Sequence, residues 1–281
     1  MDAAASVDSR FVQIANRSCV AHVVSAPAPG KGHDRWLVAD GILAVADGAT
    51  PLRSGSMDPG ALAEEILKSL AGARANSARG RLSLALASAV GEAQVGDASA
   101  GLAAILDAPA GPAAVVLGDC DVFVVAADRV IPITGRRLAA LDARVLRRLR
   151  NELRSGETLA SARDRVHGAL LANRQLRNRP GGYWVVGGGP HVEAHALIRR
   201  LPADFDGIVI ASDGFARLWN VFKIATPLDL VRSRGENLPH LLAELRGLES
   251  SRADSPIVAQ FADSDDATAI VVIPVPSIAE S

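Results

Sequence analysis

The chain has 281 residues, 49% of them hydrophobic, which is ample for a buried core. Its 30 Lys and Arg nearly cancel its 31 Asp and Glu, so no global field favours a nucleic acid or a membrane surface as partner. Apolar runs such as AIVVIPVP fall far short of a bilayer span, MDAAASVDSR lacks the basic flank and apolar stretch of a secretory signal, and Cys19 and Cys120 lack metal-ligand spacing; a cytoplasmic protein with reduced thiols is the expectation.

Along the chain, RWLVAD and GILAVAD (35–47) are short, apolar and closed by Asp, as strands are. PGALAEEILKSLAGA (59–73) and ARGRLSLALASAVGEA (78–93) then place apolar residues at helical spacing. Strand character returns in GLAAILD, AAVVLGD and VFVVAAD (101–128). A basic helical region follows over about 136–176, with Leu138, Leu141, Val145 and Leu149 expected to pack inward and the arginines to face solvent, a substrate-facing or protein-docking role for them being the alternative. GYWVVGG (182–188) and GIVIASD (207–213) read as strands, PLDLVRSRG and LPHLLAELRGLES (227–250) as helices, and ATAIVVIP (267–274) as the last strand. Hairpins alternating with paired helices point to an α+β protein, antiparallel sheets covered by helical layers, rather than to a parallel βαβ sheet. One domain over 1–281 is expected, with the helical stretch around 136–185 as an insertion.

Five acids share a local setting, each at the end of an apolar run or in the turn beside one. They are Asp34 in GKGHDRW, Asp47 in AVADGAT, Asp119 in VLGDCDV, Asp213 in IVIASDGFA and Asp265 in ADSDDATAIVV. Magnesium and manganese need several carboxylate and carbonyl oxygens converging on one point, and strand ends can present them. A glycine after Asp47 and after Asp213 allows unusual backbone angles and close approach. Each acid alone also has a plainer reading: Asp-Gly as a turn, Asp119 with Asp121 as strand-end solvation, Asp265 with Asp266 as a polar loop. The ordered set is the informative feature.

In that order (HD, VADG, GD, ASDG, then DDAT before a final apolar strand) the motifs resemble the metal-dependent type 2C serine/threonine protein phosphatases, over about 30–275. The resemblance implies a four-layer α–β–β–α sandwich of two antiparallel sheets flanked by helices, with two divalent cations, Mn or Mg, at one sheet edge. It implies that Asp47 bridges both ions, that the Gly48 carbonyl binds one, that Asp213 and Asp265 hold the other, and that Asp34 helps through water. Asp119 matches a position that supports a third, weaker ion in some members. The implied activity is hydrolysis of phosphoserine or phosphothreonine in a protein by a hydroxide bridging the two ions, opposing a Ser/Thr kinase, with Asp47 and Asp213 as the catalytic pair. The stretch between Asp119 and Asp213 corresponds to a mobile flap in bacterial members.

Two departures mark a divergent bacterial branch. Pro29 stands where many members carry a phosphate-gripping arginine, leaving Lys31 or Arg35 as substitutes, and Ala49-Thr50-Pro51 replaces the usual His or Met and glycine pair. The alternative is therefore a catalytically weak phosphatase-like module that binds a phosphoprotein or a regulatory partner. HVEAH (191–195) is not HExxH and reads as extended chain, VVGGGPH fits no phosphate-binding loop, and Cys120 reads as core.

Overall fold

The structure, a computed structural model, describes residues 6–49, 56–91, 95–189 and 191–276. The residues at 1–5 and the Thr50-Pro51 tail of the DGATP stretch lie outside it.

The chain opens with a hairpin that the sequence patterns do not single out. Strands β1 (Ser6–Ile14) and β2 (Arg17–Ala26) turn at Ala15 and Asn16, both at positive φ. That is the backbone of a tight hairpin turn without its usual Asn-Gly or Asp-Gly signal. The hairpin β3 (Arg35–Ala39) and β4 (Ile42–Ala49) follows, then helices α1 (Pro59–Gly72) and α2 (Ala78–Gly91). Helix α1 starts where Asp58 accepts the Ala61 N–H at 2.9 Å and Pro59 takes the first turn, a position that needs no donor. Next come β5 (Ser99–Leu106), β6 (Ala113–Leu117), β7 (Asp121–Ala126) and β8 (Arg129–Thr134), then α3 (Arg136–Arg154) and α4 (Leu159–Arg174). The chain ends with β9 (Leu197–Arg200), β10 (Gly207–Ala211), α5 (Asp213–Asn220), α6 (Pro227–Arg232), α7 (Leu238–Arg252) and β11 (Ala267–Pro274).

All pairings between these strands are antiparallel, in a six-stranded sheet ordered β1-β2-β11-β10-β7-β8 and a five-stranded sheet ordered β3-β4-β5-β6-β9. Three apolar clusters separate four layers. Val23, Val45, Ile105 and Ile210 pack between the sheets. Leu62, Ile66 and Leu82 of the first helix pair cover the outer face of the five-stranded sheet over small residues such as Ala44 and Ala104. Phe215, Leu230 and Leu245 cover the outer face of the other sheet over Val209 and Val271. Burying each such Leu, Ile or Phe contributes about 1.5–3 kcal/mol. This is the expected α+β, α–β–β–α sandwich.

Three readings need correction. GYWVVGG forms no strand of either sheet: it makes only the isolated bridges Ala100↔Val186 and Arg177↔Tyr183, because Gly181, Gly187 and Gly188 take positive φ and break any ladder. HVEAH is not extended but a 3₁₀ turn, with His195 stacked on the Trp184 ring. On α3, Val145 and Leu149 are buried as expected, whereas Leu138 and Leu141 are only half-buried and Leu138 faces a cleft.

Candidate active site

The path to Asp34 begins at a tight turn. In Ala28-Pro29-Gly30-Lys31 the Lys31 N–H donates to the Ala28 carbonyl at 3.0 Å and Gly30 takes φ 72°. Proline second and glycine third is the type II pattern. The segment after it is held by one carboxylate: Asp266 accepts from the backbone N–H groups of Ala28 (2.7 Å), Gly32 (3.0 Å), His33 (2.5 Å) and Asp34 (3.3 Å). Asp265 and Asp266 therefore have different jobs. Asp266, 4% exposed, ties the 28–34 loop to the start of β11, while Asp265 faces the cleft.

Asp47 does not end its strand. β4 continues through it, pairing Asp47 with Gly101 and Gly48 with Ala100 before stopping at Ala49. Neither Asp-Gly pair uses positive φ at its glycine. The glycines supply space instead: a Cβ on Gly48 would sit 2.5 Å from the Pro59 carbonyl oxygen, and one on Gly214 would overlap the Asp266 carbonyl. Gly101 works similarly across the ladder, where a Cβ would lie 2.7 Å from Asp119 Oδ1. A glycine at the start of the β5 run is thus what lets Asp119, in the β6–β7 turn, approach Asp47.

Asp213 is the first residue of α5, where the helix dipole favours an acid. Ser212 just before it links β10 to β11 by two hydrogen bonds of 3.0 Å with the Thr268 backbone. Asp265 is held by Lys31 (Nζ to Oδ1, 2.7 Å) and Arg217 (Nη2 to Oδ2, 3.4 Å). Arg217 in turn bonds Glu249 at 2.6 Å, and Arg246 joins Glu249 (2.6 Å) to the Asp265 carbonyl (2.7 Å). This network was not legible beforehand because its members lie on α5, on α7 and in the loop before β11.

Asp47, Asp119, Asp121, Asp213 and Asp265 line a cleft of about 1070 Å³, with Asp34 buried beside Asp47. Burial, with the charges of Asp266 and Asp213, raises Asp34 to about 7, and the nearby Ser212 and Thr268 hydroxyls only partly offset this. Neither Asp34 carboxylate oxygen has a hydrogen-bond partner of normal geometry. Burial and the charges of Asp34, Asp213, Asp119 and Asp265 push Asp47 well above the usual carboxylate range. Asp119 rises to about 8, chiefly through burial and Asp213, and Asp121 to about 7 for the same reasons. Asp213 rises to about 6 through its enclosure by protein and Asp265, opposed by Arg217, a hydrogen bond with Asp47, and Lys31. Water reaches Asp213 through the cleft, however, so Asp265 is the firmer of those two causes.

Among the described residues no group of three or more His, Cys, Asp or Glu stands ready to hold an ion. The donor set nonetheless fits divalent cations. Buried carboxylates raise one another's pKa, neither Asp34 oxygen has a hydrogen bond of normal geometry, and the acids are hard oxygen ligands. Asp34, Asp47, Asp213 and Asp265 are brought together, with Gly48 beside Asp47. Of the two possible substitutes for the missing arginine, only Lys31 lines the cleft. Arg35 is committed to the carbonyls of Gly32 and Asp34, both at 2.8 Å. Cys120 is buried beside the acids, and its thiol is pushed well up, first by burial and then by Asp47. It is no nucleophile.

No family model matches the sequence, and no curated protein matches it by sequence. Solved structures match its fold. The PPM Ser-Thr phosphatase MsPP from Mycobacterium smegmatis, solved with cacodylate, aligns at TM-score 0.50 and 16% identity over 98% of this chain and 99% of its own. The phosphatase Stp1 from Staphylococcus aureus aligns at TM-score 0.53 and 13% identity, over 91% and 95%. The catalytic domain of the phosphatase PstP, solved with two manganese ions, aligns at TM-score 0.50 and 13% identity, over 97% and 99%. This chain has the fold of the bacterial PPM-type, or type 2C, serine/threonine phosphatases.

Proposed function

We propose that the protein is a metal-dependent phosphatase of phosphoserine or phosphothreonine in proteins. The observation that carries this reading is the convergence of Asp34, Asp47, Asp213 and Asp265 from four separate segments, the last three lining a cleft and Asp34 buried beside Asp47, with only Asp265 among them ion-paired within the described residues. Asp47, the Gly48 carbonyl, Asp213 and Asp265 would hold the ions, and Asp34 would support them. Two such ions, when bound, supply an acidified water and positive charge against the phosphoryl oxygens. The chain's own part is to hold these oxygens still, Asp47 within β4, Asp213 at the start of α5, and Asp34 and Asp265 in the loops before β3 and β11. Arg217, Glu249 and Arg246 fix Asp265, Asp266 fixes the Asp34 loop, and Lys31 stands at the rim where a phosphate enters.

p-Nitrophenyl phosphate and a phosphothreonine peptide should be hydrolysed with manganese and not with chelator. If Asp213→Asn leaves that activity untouched, the assignment is wrong. A second reading, a weakly catalytic module that binds a phosphoprotein, is favoured by Pro29 and by the ion pair that engages Lys31. Tight phosphopeptide binding without turnover across several metals would establish it.

A further inference from the structure

The cleft has a second wall of opposite charge. α3 crosses it, beginning beside the acids: a Cβ on Gly135, the residue before the helix, would overlap the Gly118 carbonyl that precedes Asp119. Farther along, Arg150 Nε donates to the Ala259 carbonyl at 3.2 Å, so the helix meets the loop leading to Asp265. Arg136, Arg147, Arg150 and Arg154 all line the cleft. The last three follow Arg136 by about three, four and five helical turns, so all four lie on one stripe.

These arginines differ from the cations at the acid end. Lys31 and Arg217 are ion-paired to Asp265 or Glu249. Arg136, Arg147, Arg150 and Arg154 form no ion pair among the described residues; Arg150 and Arg154 each donate one hydrogen bond, to Ala259 and Asn151, and keep other N–H groups open. The acids on the same helix do not neutralise them. Glu152 is paired with Arg165, and Asp142 accepts from Asn173 at 3.0 Å with its carboxyl raised by burial.

We propose that this stripe binds the acidic flank of the phosphoprotein segment whose phosphorylated residue enters the acid end of the cleft. The occupant is an extended peptide with carboxylate or further phosphate groups beside the phosphoresidue. Arg147 and Arg154 stand about 10 Å apart along the helix, the length of about three residues of extended chain. Guanidinium forks suit carboxylate and phosphate alike. The inference rests on the phosphatase reading for what is processed, though not for the binding it predicts.

The test compares two fluorescent phosphothreonine peptides of equal length, one with glutamates at several flanking positions and one with glutamines. Anisotropy in chelator measures binding without turnover. The acidic peptide should bind more tightly, weaken as salt is raised, and lose about tenfold in affinity with Arg147→Ala/Arg154→Ala, the size of two partly exposed charge contacts. Equal binding of the two peptides, or an acidic preference that survives the double variant, overturns the proposal. So does heparin or an anionic vesicle that binds as tightly and with the same variant sensitivity, since that marks a general polyanion surface. A circular dichroism melt confirms that the variant folds, and Arg147→Lys/Arg154→Lys should recover part of the preference. With manganese, hydrolysis of neither peptide would sink the phosphatase reading, while the anisotropy still decides the stripe.

Discussion

The two walls of the cleft are built on opposite plans. The acid wall hangs on strands locked into the sandwich: Asp47 sits inside β4, flanked by β3 and β5, and a slip of one residue would turn it to the other face. The basic wall hangs on α3 and α4, whose own buried cluster among the described residues is Val145, Leu149, Ala162, Val166 and Ala259. Polar ties to the neighbouring loop supplement it, notably Arg150 to Ala259 and Arg163 to Gln260 and Asp263. Where groups must be placed to a fraction of an ångström, the whole core fixes them. Where a surface need only be presented, a few contacts suffice, and such regions open first.

The largest expected effect belongs to the stiff wall. Asp47→Asn should lower manganese-dependent turnover by about a thousandfold or more, because even partners one step removed from an ion cost up to about a hundredfold. The same change should leave the melting temperature in chelator unchanged near neutral pH and raise it at high pH, since a neutral amide replaces a buried carboxyl whose ionised form burial and its neighbours disfavour. A variant that loses activity and also melts lower without metal would show that Asp47 is a structural acid and break the contrast. The next effect sets the walls directly against each other. Leu62→Ala, in α1, should lower global stability by about 2–5 kcal/mol. Leu149→Ala, at equal burial in α3, should instead speed hydrogen exchange across 136–174 and leave the global midpoint within about 1 kcal/mol. Equal shifts of both midpoints would mean that the walls unfold as one unit.

Much of the stiff wall was legible in the sequence, because period and punctuation act locally. Helices α1, α2, α3, α4, α6 and α7 follow their apolar spacing, and β4, β5, β10 and β11 are Val/Ile/Ala runs buried on both faces. What escaped lacks a local signal, or depends on partners remote in sequence. β1 and β2 need each other and a turn without glycine, so Ser6–Ile14 looks featureless alone. α5 hid behind the Asp-Gly at its own start, because a pair that reads as a turn here opens a helix. Asp266 and Asp265 are neighbours of the same type, and only the amides of Ala28 to Asp34 separate anchor from candidate ligand. The positions of Asp34, Asp47, Asp213 and Asp265 were legible through their shared setting. The arginine stripe was not, because helical spacing alone cannot tell a solvated face from one turned to a cleft.

A smaller effect concerns pH without metal. Asp34, Asp119 and Asp121 hold protons to about 7, 8 and 7 in the folded chain, while unfolded they lose them near 4. The folded state thus binds more protons between those limits, and this contribution to stability falls as pH rises. Between pH 6 and 8, where ordinary carboxylates no longer titrate, melting in chelator should drop by a few degrees. Manganese should stabilise more at pH 8 than at pH 6. Flat melting over that range, or stabilisation by manganese that shrinks as pH rises, would show that the acids are not crowded as described. No parallel effect is expected from Arg147→Ala or Arg154→Ala, which leave the acid wall intact.

The smallest effect lies at Lys31, which lines the cleft beside Asp265. Its bond to Asp265 joins two partly exposed groups, so Lys31→Ala should change stability by no more than about 1 kcal/mol. If Lys31 grips the entering phosphate in place of the absent arginine, KM for p-nitrophenyl phosphate should rise several-fold while kcat stays within about twofold, the pattern of lost uniform binding. Lys31→Arg should keep KM at or below the original value, since its fork can meet two phosphoryl oxygens at once. A fall in kcat with KM unchanged would instead mean that Lys31 works through Asp265, holding that carboxylate in place. Lys31 would then belong to the stiff wall as a positioning residue, and the phosphate would have to be held by the ions and the backbone alone.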